Sequence, residues 1–454
     1  MNIYTPLCRN VVAPLWALKE SSQYLRHLKL LEASQYLTLD EIRINQLARL
    51  KALLVHSYKN SPYYRRKWQE IGFHPEDLKC LADIEKLPLL TKDDIRTEKD
   101  RIVASNMPVA SLIPRETSGS TGIPLRFFVD DASQQFKRAC TIRSNQWSGW
   151  RFGEKAAAIW GNPDPGKSFR AWLRNILLDR YDYLDTLKMD KADMLIFYNR
   201  QLRRKPTMLF GHAHSLYLFA LFLESEGLAA FPVKGIISTA MVLHDFERRK
   251  IESIFGRKVS NRYGCEEVSL IASECEAHEG LHLNLDNLIV ELVREGRAAP
   301  ANTPGDIVIT DLSNYGMPFI RYRVGDVGLM SGKNCSCGRS LPLLERVEGR
   351  IADYVITPEG SFISGISLTE NFATLLPEVR QMQIVQERID HLVFNIVKGE
   401  GFTAASKDRI SALVQERFGA KMTYRLQEVS HIPREASGKY RFCISKVNHE
   451  FKGR

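Results

Sequence analysis

Residues 111–130, SLIPRETSGSTGIPLRFFVD, decide how the rest of this chain is read. A run of small hydroxyl residues and glycines, Thr117-Ser118-Gly119-Ser120-Thr121-Gly122, lies between apolar, strand-like flanks and ends in Ile123-Pro124. Glycine frees the backbone so that successive N–H groups turn toward one anion, and the hydroxyls add donors for phosphate oxygens. No lysine follows Gly122, so the tract is not a P-loop. A plain Ser/Gly linker is the alternative; the strand-like flanks and the closing proline argue against it.

Outward from this loop the chain alternates. AAAIWG (156–161) and GIIST (235–239) read as buried strands, with helical stretches at 213–226 and 244–255 between or after them. Alternation of this kind predicts α/β layers. KVSNRYGCEE (258–267) places a short strand before a polar turn. Upstream, leucines and isoleucines across 21–70 recur at spacings of three and four, the helical period, with Thr38 or Asp40 as a cap and a new helix start near Thr91. Residues 288–328 turn β-rich, as a small antiparallel or barrel-like subdomain. After Gly349-Arg350 the pattern resets: VITPEG, MQIVQ and LVFNIV read as strands, followed by a helix near 406–418 and a strand near 422–428. The expected architecture is therefore α/β. A large multi-layer N-terminal domain spans 1–349, helical over about 1–110 and carrying the β-rich subdomain. A small, mobile α+β domain spans 350–454.

Composition sets the outer bounds. The 454 residues are 44% hydrophobic and 26% charged, which excludes disorder, collagen or coiled coil as the main state. Sixty-three basic against 53 acidic residues leave a net charge of +10, suited to an anionic partner such as a nucleotide, coenzyme A, nucleic acid or an acidic membrane surface. Eight cysteines are too few for a disulfide scaffold; four of them fall between Cys265 and Cys337, which points to a reducing compartment and a metal. The apolar run Val11–Leu18 is broken by Pro14 and falls far short of the ~20 residues that cross a bilayer. It reads as part of a docked N-terminal helix, with an interfacial contact by Leu15, Trp16 and Leu18 as the alternative. No transmembrane segment or leader is expected, and the compartment expected is the cytoplasm.

Further motifs carry chemistry. In Tyr263-Gly264-Cys265-Glu266-Glu267, a carboxylate at a strand end suits Mg²⁺, and an aromatic beside glycine suits a purine. In Tyr322-Arg323-Val324-Gly325-Asp326, an Asp in a tight turn suits a ribose diol. Arg350 stands at the domain boundary, where it can meet a phosphate. Lys439, in PREASGKYR, is a mobile ammonium near the end of the chain. Taken singly, each reads as solvated surface charge.

Their joint order resembles the adenylate-forming superfamily of acyl-CoA synthetases, adenylation domains and luciferases, from about residue 85 onward. The early loop and the Cys/His cluster are most similar to its phenylacetate–CoA ligase branch, which includes proteins associated with capsule-polysaccharide synthesis. The resemblance implies ATP-dependent activation of a carboxylic acid as an acyl-adenylate, release of pyrophosphate, and transfer to coenzyme A. Transfer to a carrier protein or a saccharide or lipid precursor is the alternative. It further implies that Ser118, Gly119, Ser120, Thr121 and Gly122 hold phosphate, that Tyr263 and Gly264 border adenine, and that Glu267 binds Mg²⁺. Asp326 and Arg350 would contact ribose or phosphate, and Lys439 would serve adenylation. Three positions depart from the pattern: Ile123 where the branch has Lys, Glu266 where Thr or Ser precedes the Mg²⁺ carboxylate, and Ala352 two residues past the hinge Arg.

Cys275 and His278, then Cys335 and Cys337, read as a closed N/S donor set for structural Zn²⁺, with Cys265 or His282 able to replace one ligand and unrelated free thiols as the alternative. His212 and His214 are candidates for an acyl pocket, and Ser238-Thr239-Ala240 for the adenine side. Two rival classes are a zinc-stabilised nucleic-acid binder, which lacks a clustered basic-aromatic stripe, and a non-catalytic adenylate-binding scaffold. No nucleic-acid partner is expected.

Overall fold

The structure is a computed structural model. It describes residues 4–117, 125–161, 168–186, 189–243, 245–348, 354–359, 362–364, 368, 372, 375–376, 378–432 and 442–447. The chain divides into two compact units, one of Met1–Thr117, Leu125–Glu154 and Ser260–Gly349, the other including Lys155–Val259 and Arg350–Arg454. Changes of unit fall after Glu154, after Val259 and after Gly349.

The first unit opens with helices. α1 is a helical run of Tyr4–Leu7, a π turn over Cys8–Val12, and Ala13–Lys19; α2 is Tyr24–Ser34, α3 Leu39–Asn60, α4 Pro62–Glu70 and α5 Lys92–Ile102. Thr38 caps α3 through a reciprocal box with Glu41, and Thr91 caps α5 in the same way with Asp94. Each box satisfies two N–H groups that the helix start would leave without partners. The quoted stretch forms an antiparallel hairpin of β1 (Ile113–Thr117) and β2 (Leu125–Val129), and α6 (Asp131–Trp147) follows it. Asp130 caps α6 through Ser133 N at 2.7 Å.

The β-rich region is larger than expected. β10 (Leu288–Arg294), β12 (Gly305–Asp311) and β13 (Tyr322–Met330) do pair antiparallel. They continue, however, through β14 (Leu343–Glu348), β9 (Leu281–Leu283) and β8 (Ser269–Glu274) to β7 (Val259–Cys265), so they are no separate subdomain. Pairings between strands far apart in sequence are invisible to local periodicity. Along β13 burial alternates, with Tyr322, Val324 and Asp326 inward, as the two-residue period of a strand requires. Trp68, Phe127, Phe319, Ile307 and Ile309 belong to the core beneath.

In the second unit, β3 (Ala156–Trp160), β4 (Tyr181–Asp185), β5 (Met208–His212) and β6 (Gly235–Thr239) form a parallel sheet in the order β4-β3-β5-β6. The helices Lys191–Arg204, Ala213–Ser225 and Asp245–Phe255 alternate with these strands. Buried on both faces, β3 reads as an unbroken apolar run and β6 as one up to Ile237, which is the parallel-sheet signature. Toward the C-terminus β19-β18-β17-β20 form a mixed sheet (Thr423–Glu428, His391–Lys398, Val379–Arg388, Cys443–Ser445). Together with the helix Ala404–Phe418 it encloses its own core around Phe394, Ile410 and Phe418. An α+β arrangement was expected here.

Candidate functional site: two tyrosine–carboxylate pairs and a sulfur-rich cluster

β7 and β13 carry the carboxylates' partners. Tyr263 Oη donates to Asp326 Oδ2 at 2.9 Å, and Tyr322 Oη donates to Glu267 Oε1 at 2.7 Å. Asp326 and Glu267 are both buried. A buried carboxylate needs donors or cations, and a phenol supplies a donor without cancelling the charge. Gly264 has a steric reason: at the bulge between Tyr263 and Gly264, a Cβ would come 2.4 Å from Ser269 O.

Behind this pair lies an ion-pair network that local patterning does not reveal. Lys137 is buried on α6, 2.8 Å from Asp311 Oδ2, and its Nζ donates to Glu267 O at 3.3 Å. Asp311 Oδ1 accepts from Ser313 N and Oγ at 2.9 and 2.7 Å. Lys137 thus holds the backbone of the turn bearing Glu267 while its charge is met by Asp311. Helical patterning over 131–147 marks α6 but cannot single out a lysine that turns inward.

A cavity of about 340 Å³ borders the same turn, lined by Arg115 of β1, Gln134, Lys137 and Arg138 of α6, and Glu266. Gln134, Lys137 and Arg138 share one helix face by their spacing of three and four. Arg115 donates to Gln134 Oε1 at 2.9 Å and lies 3.7 Å from Glu266 Oε1. Burial pushes the Glu266 carboxyl up, with Arg115 opposing and Glu267 reinforcing the shift. Three cations against one carboxylate on the wall suit an anion.

In the second unit, the carboxyl ends of the parallel strands gather Trp160, Phe210, His212 and Ser238. Trp160 stacks on Phe210 at 5.0 Å, and its ring lies 4.2 Å from that of His212. Burial pushes His212 down to about 4, so it is neutral at physiological pH. His212 Nδ1 and Ser238 Oγ are buried with no hydrogen-bond partner among the described residues. His214 faces elsewhere, its Nδ1 2.9 Å from Glu247 Oε1. Ligands of open α/β sheets bind at such strand ends.

Ser118, Gly119, Ser120, Thr121, Gly122, Arg350 and Lys439 lie outside the described residues, as do Ile123 and Ala352.

The sulfur cluster corrects one expectation. Cys275, His282, Cys335 and Cys337 offer ligand atoms within 4.8 Å of one another. His282 takes the place expected for His278, which sits at positive φ (57°) with Nδ1 3.3 Å from Glu274 Oε2. The reason is register: β8 and β9 pair Glu274 with Leu281 and Ser273 with His282, folding the hairpin so that the more distant histidine returns beside Cys275. Cys275 Sγ and Cys335 Sγ are 3.6 Å apart, and Cys337 Sγ is 3.3 Å from His282 Nε2. Zn–S bonds of ~2.3 Å at tetrahedral angles give sulfur separations of about 3.8 Å, so the donor set fits zinc. His282 Nδ1 lies 2.9 Å from Leu341 O. A carbonyl only accepts, so Nδ1 carries the proton and Nε2 presents its lone pair to the thiols.

Comparison with known proteins supplies the context. Residues 355–446 match the model of the CapK C-terminal domain. The chain is 24% identical to the protein CapK of Staphylococcus aureus, with 86% of each chain covered. It is 27% identical to the phenylacetate–coenzyme A ligase of Pseudomonas putida over 72% of this chain and 74% of that one. A structure of 2-hydroxyisobutyryl-CoA ligase, solved with 2-HIB-AMP and CoA, shares the fold at a TM-score of 0.61 and 22% identity, covering 90% of this chain and 91% of that one. In sequence the chain is thus similar to CapK and to the phenylacetate–CoA ligases, and it shares the fold of a CoA ligase solved with an acyl-AMP and CoA.

Proposed function

We propose that the protein activates a carboxylic acid with ATP, forming an acyl-adenylate and pyrophosphate, and then transfers the acyl group to coenzyme A. The observation that carries this reading is the paired set Tyr263–Asp326 and Tyr322–Glu267, two buried carboxylates held by neutral donors. Its support is likeness to phenylacetate–CoA ligases and to a CoA ligase crystallised with an acyl-AMP and CoA. In the first half-reaction a carboxylate oxygen attacks the α-phosphorus and pyrophosphate leaves. In the second, the thiol sulfur attacks the acyl carbonyl, loses its proton, and AMP leaves.

Each side chain has a task in this reading. Asp326, oriented by Tyr263, accepts hydrogen bonds from the ribose hydroxyls, and Tyr263 with Gly264 borders adenine. Glu267, fixed by Tyr322 and by Lys137 on its carbonyl, is the ligand for Mg²⁺, which when bound neutralises charge on the phosphates. Ser118 to Gly122 hold the phosphates, Arg115 and Arg138 bring positive charge to the cavity beside Glu266, and Arg350 contacts ribose or phosphate. Lys439 stabilises charge at the α-phosphate. Residues 350–454 form the domain that moves between half-reactions, carrying Lys439 toward and away from the nucleotide. Cys275, His282, Cys335 and Cys337 hold a structural zinc that ties β8 and β9 to the segment before β14; no ligand position is left open for catalysis. The protein works in the cytoplasm; among the described residues no helix is long and apolar enough to cross a membrane.

The test is ATP–pyrophosphate exchange against a panel of aromatic, fatty and amino acids, with and without coenzyme A. Acid-dependent exchange, and AMP release on adding coenzyme A, are expected. No exchange with any acid, or exchange unaltered by Lys439→Ala, sinks the proposal. A second reading keeps the adenylate but changes the acceptor to a carrier protein or a saccharide or lipid precursor in polysaccharide synthesis. The match of residues 355–446 to the CapK C-terminal domain favours it. Exchange without thioester formation would choose it.

A further inference from the structure

α1 is docked by one face only. Cys8, Ala13, Trp16 and Ala17 are buried, Trp16 Nε1 donates to Glu20 Oε1 at 2.7 Å, and a Cβ on Gly153 would meet Cys8 Sγ at 3.2 Å. The opposite face is apolar and open to solvent: Leu7, Val11, Leu15 and Leu18 are 45%, 44%, 62% and 78% exposed. Spaced by four, four and three residues, these positions return to one side of the helical run and form a stripe along it. Single exposed leucines are ordinary; an aligned aliphatic row on a helix already held by its other face is not.

Charge selects the occupant. Within the first 30 residues Arg9, Lys19, Arg26 and Lys29 stand against Glu20 alone. All four cations are exposed, on α1 and α2. The chain as a whole carries +10. An apolar stripe on a segment with four exposed cations against one acidic residue matches an anionic phospholipid surface, whose headgroups attract the Arg and Lys side chains while the aliphatic row enters the acyl boundary. A helix of this length with Pro14 inside it lies in the interface and does not span.

We infer that α1 docks this protein on anionic bilayers through Leu7, Val11, Leu15 and Leu18, with Arg9, Lys19, Arg26 and Lys29 supplying the electrostatic attraction. This goes beyond the ligase reading and is independent of it, because binding is measured without turnover.

The experiment is co-sedimentation of the full chain with phosphatidylcholine vesicles that contain about one-third phosphatidylglycerol, against pure phosphatidylcholine. The protein is expected to sediment with the anionic vesicles and to be released by high salt. Leu15→Ser/Leu18→Ser should lower the apparent affinity by roughly tenfold or more, since two aliphatic side chains no longer enter the bilayer. Arg9→Gln/Lys19→Gln should remove most of the preference for phosphatidylglycerol. Both pairs are surface substitutions; an unchanged melting temperature shows that the fold is intact, and the charge pair remains a second probe should the serine pair unfold the helix. Wild-type protein that stays in the supernatant with both vesicles overturns the inference. So does equal binding by both variants. A concentration-dependent dimer that Leu15→Ser/Leu18→Ser dissociates, without vesicle binding, overturns it in favour of a second copy of the chain.

Discussion

The antiparallel strands around Glu267 and the parallel-strand ends around His212 solve opposite problems. The first region concentrates buried charge: Glu267, Asp326, Asp311 and Lys137, each with a donor or counter-ion placed by a neighbouring strand or helix. The second keeps charge away. Trp160, stacked on Phe210, packs against an imidazole that burial holds neutral, and His212 Nδ1 and Ser238 Oγ have no hydrogen-bond partner among the described residues. The contrast teaches two ways to keep polar groups in a protein interior: charge met by preorganised partners, and an imidazole held neutral among aromatic rings.

Four substitutions test this division, beginning with the strongest effect. Glu267→Gln keeps the shape and removes the charge; if the first region exists to hold Mg²⁺ against phosphate, exchange activity falls by ~100-fold or more, measured at saturating acid. A rate within a few-fold of wild type would leave the region structural only. Gly264→Ala forces a methyl against Ser269 O, which the bulge cannot yield, so urea denaturation should show a loss of about 1–3 kcal/mol with a raised KM for ATP. Neutral stability would mean that the bulge relaxes.

The third concerns His212. Its folded pKa of about 4 lies below the ordinary value of 6.5, so the unfolded chain binds more protons between those limits. Stability is therefore fully present above pH 6.5 and declines as pH falls toward 4, by about 2 kcal/mol between pH 7 and pH 5. In His212→Gln this part of the pH slope should vanish in denaturation curves; an unchanged slope assigns it to other groups. The smallest effect is Tyr322→Phe, which removes one hydrogen bond to a carboxylate, costing about 1.5 kcal/mol and raising the KM for ATP–Mg²⁺ roughly tenfold. If Glu267 needs no orientation, KM will not move.

Motif chemistry was readable from residue order, because glycine, hydroxyls, carboxylates and lysine have few roles in such a succession. The Thr38 and Thr91 caps followed from local rules, whereas the bond between Tyr263 and Asp326 needed the sheet. The cluster shows the limit. Cys275-x2-His278 satisfies a familiar ligand spacing, yet a β-hairpin returned His282 to the sulfurs and left His278 in the turn. Tyr322 was quoted for its neighbours Arg323 and Asp326, and its bond to Glu267 needed the sheet. Lys137 carried no signal at all, since an inward lysine on an amphipathic helix looks like an outward one until Asp311 is placed beneath it.

By itself the order of residues determined the α/β class, the sulfur-and-imidazole type of the clustered donors, and the family resemblance. These rest on interactions within a few residues: periodicity, capping and turn chemistry. Folding in three dimensions decided which histidine joins the thiols, which tyrosine steadies which carboxylate, and that Lys155–Val259 groups with the C-terminal residues. Those outcomes depend on strand register and long-range pairing, whose energies come from partners dozens to hundreds of residues away and leave no local trace.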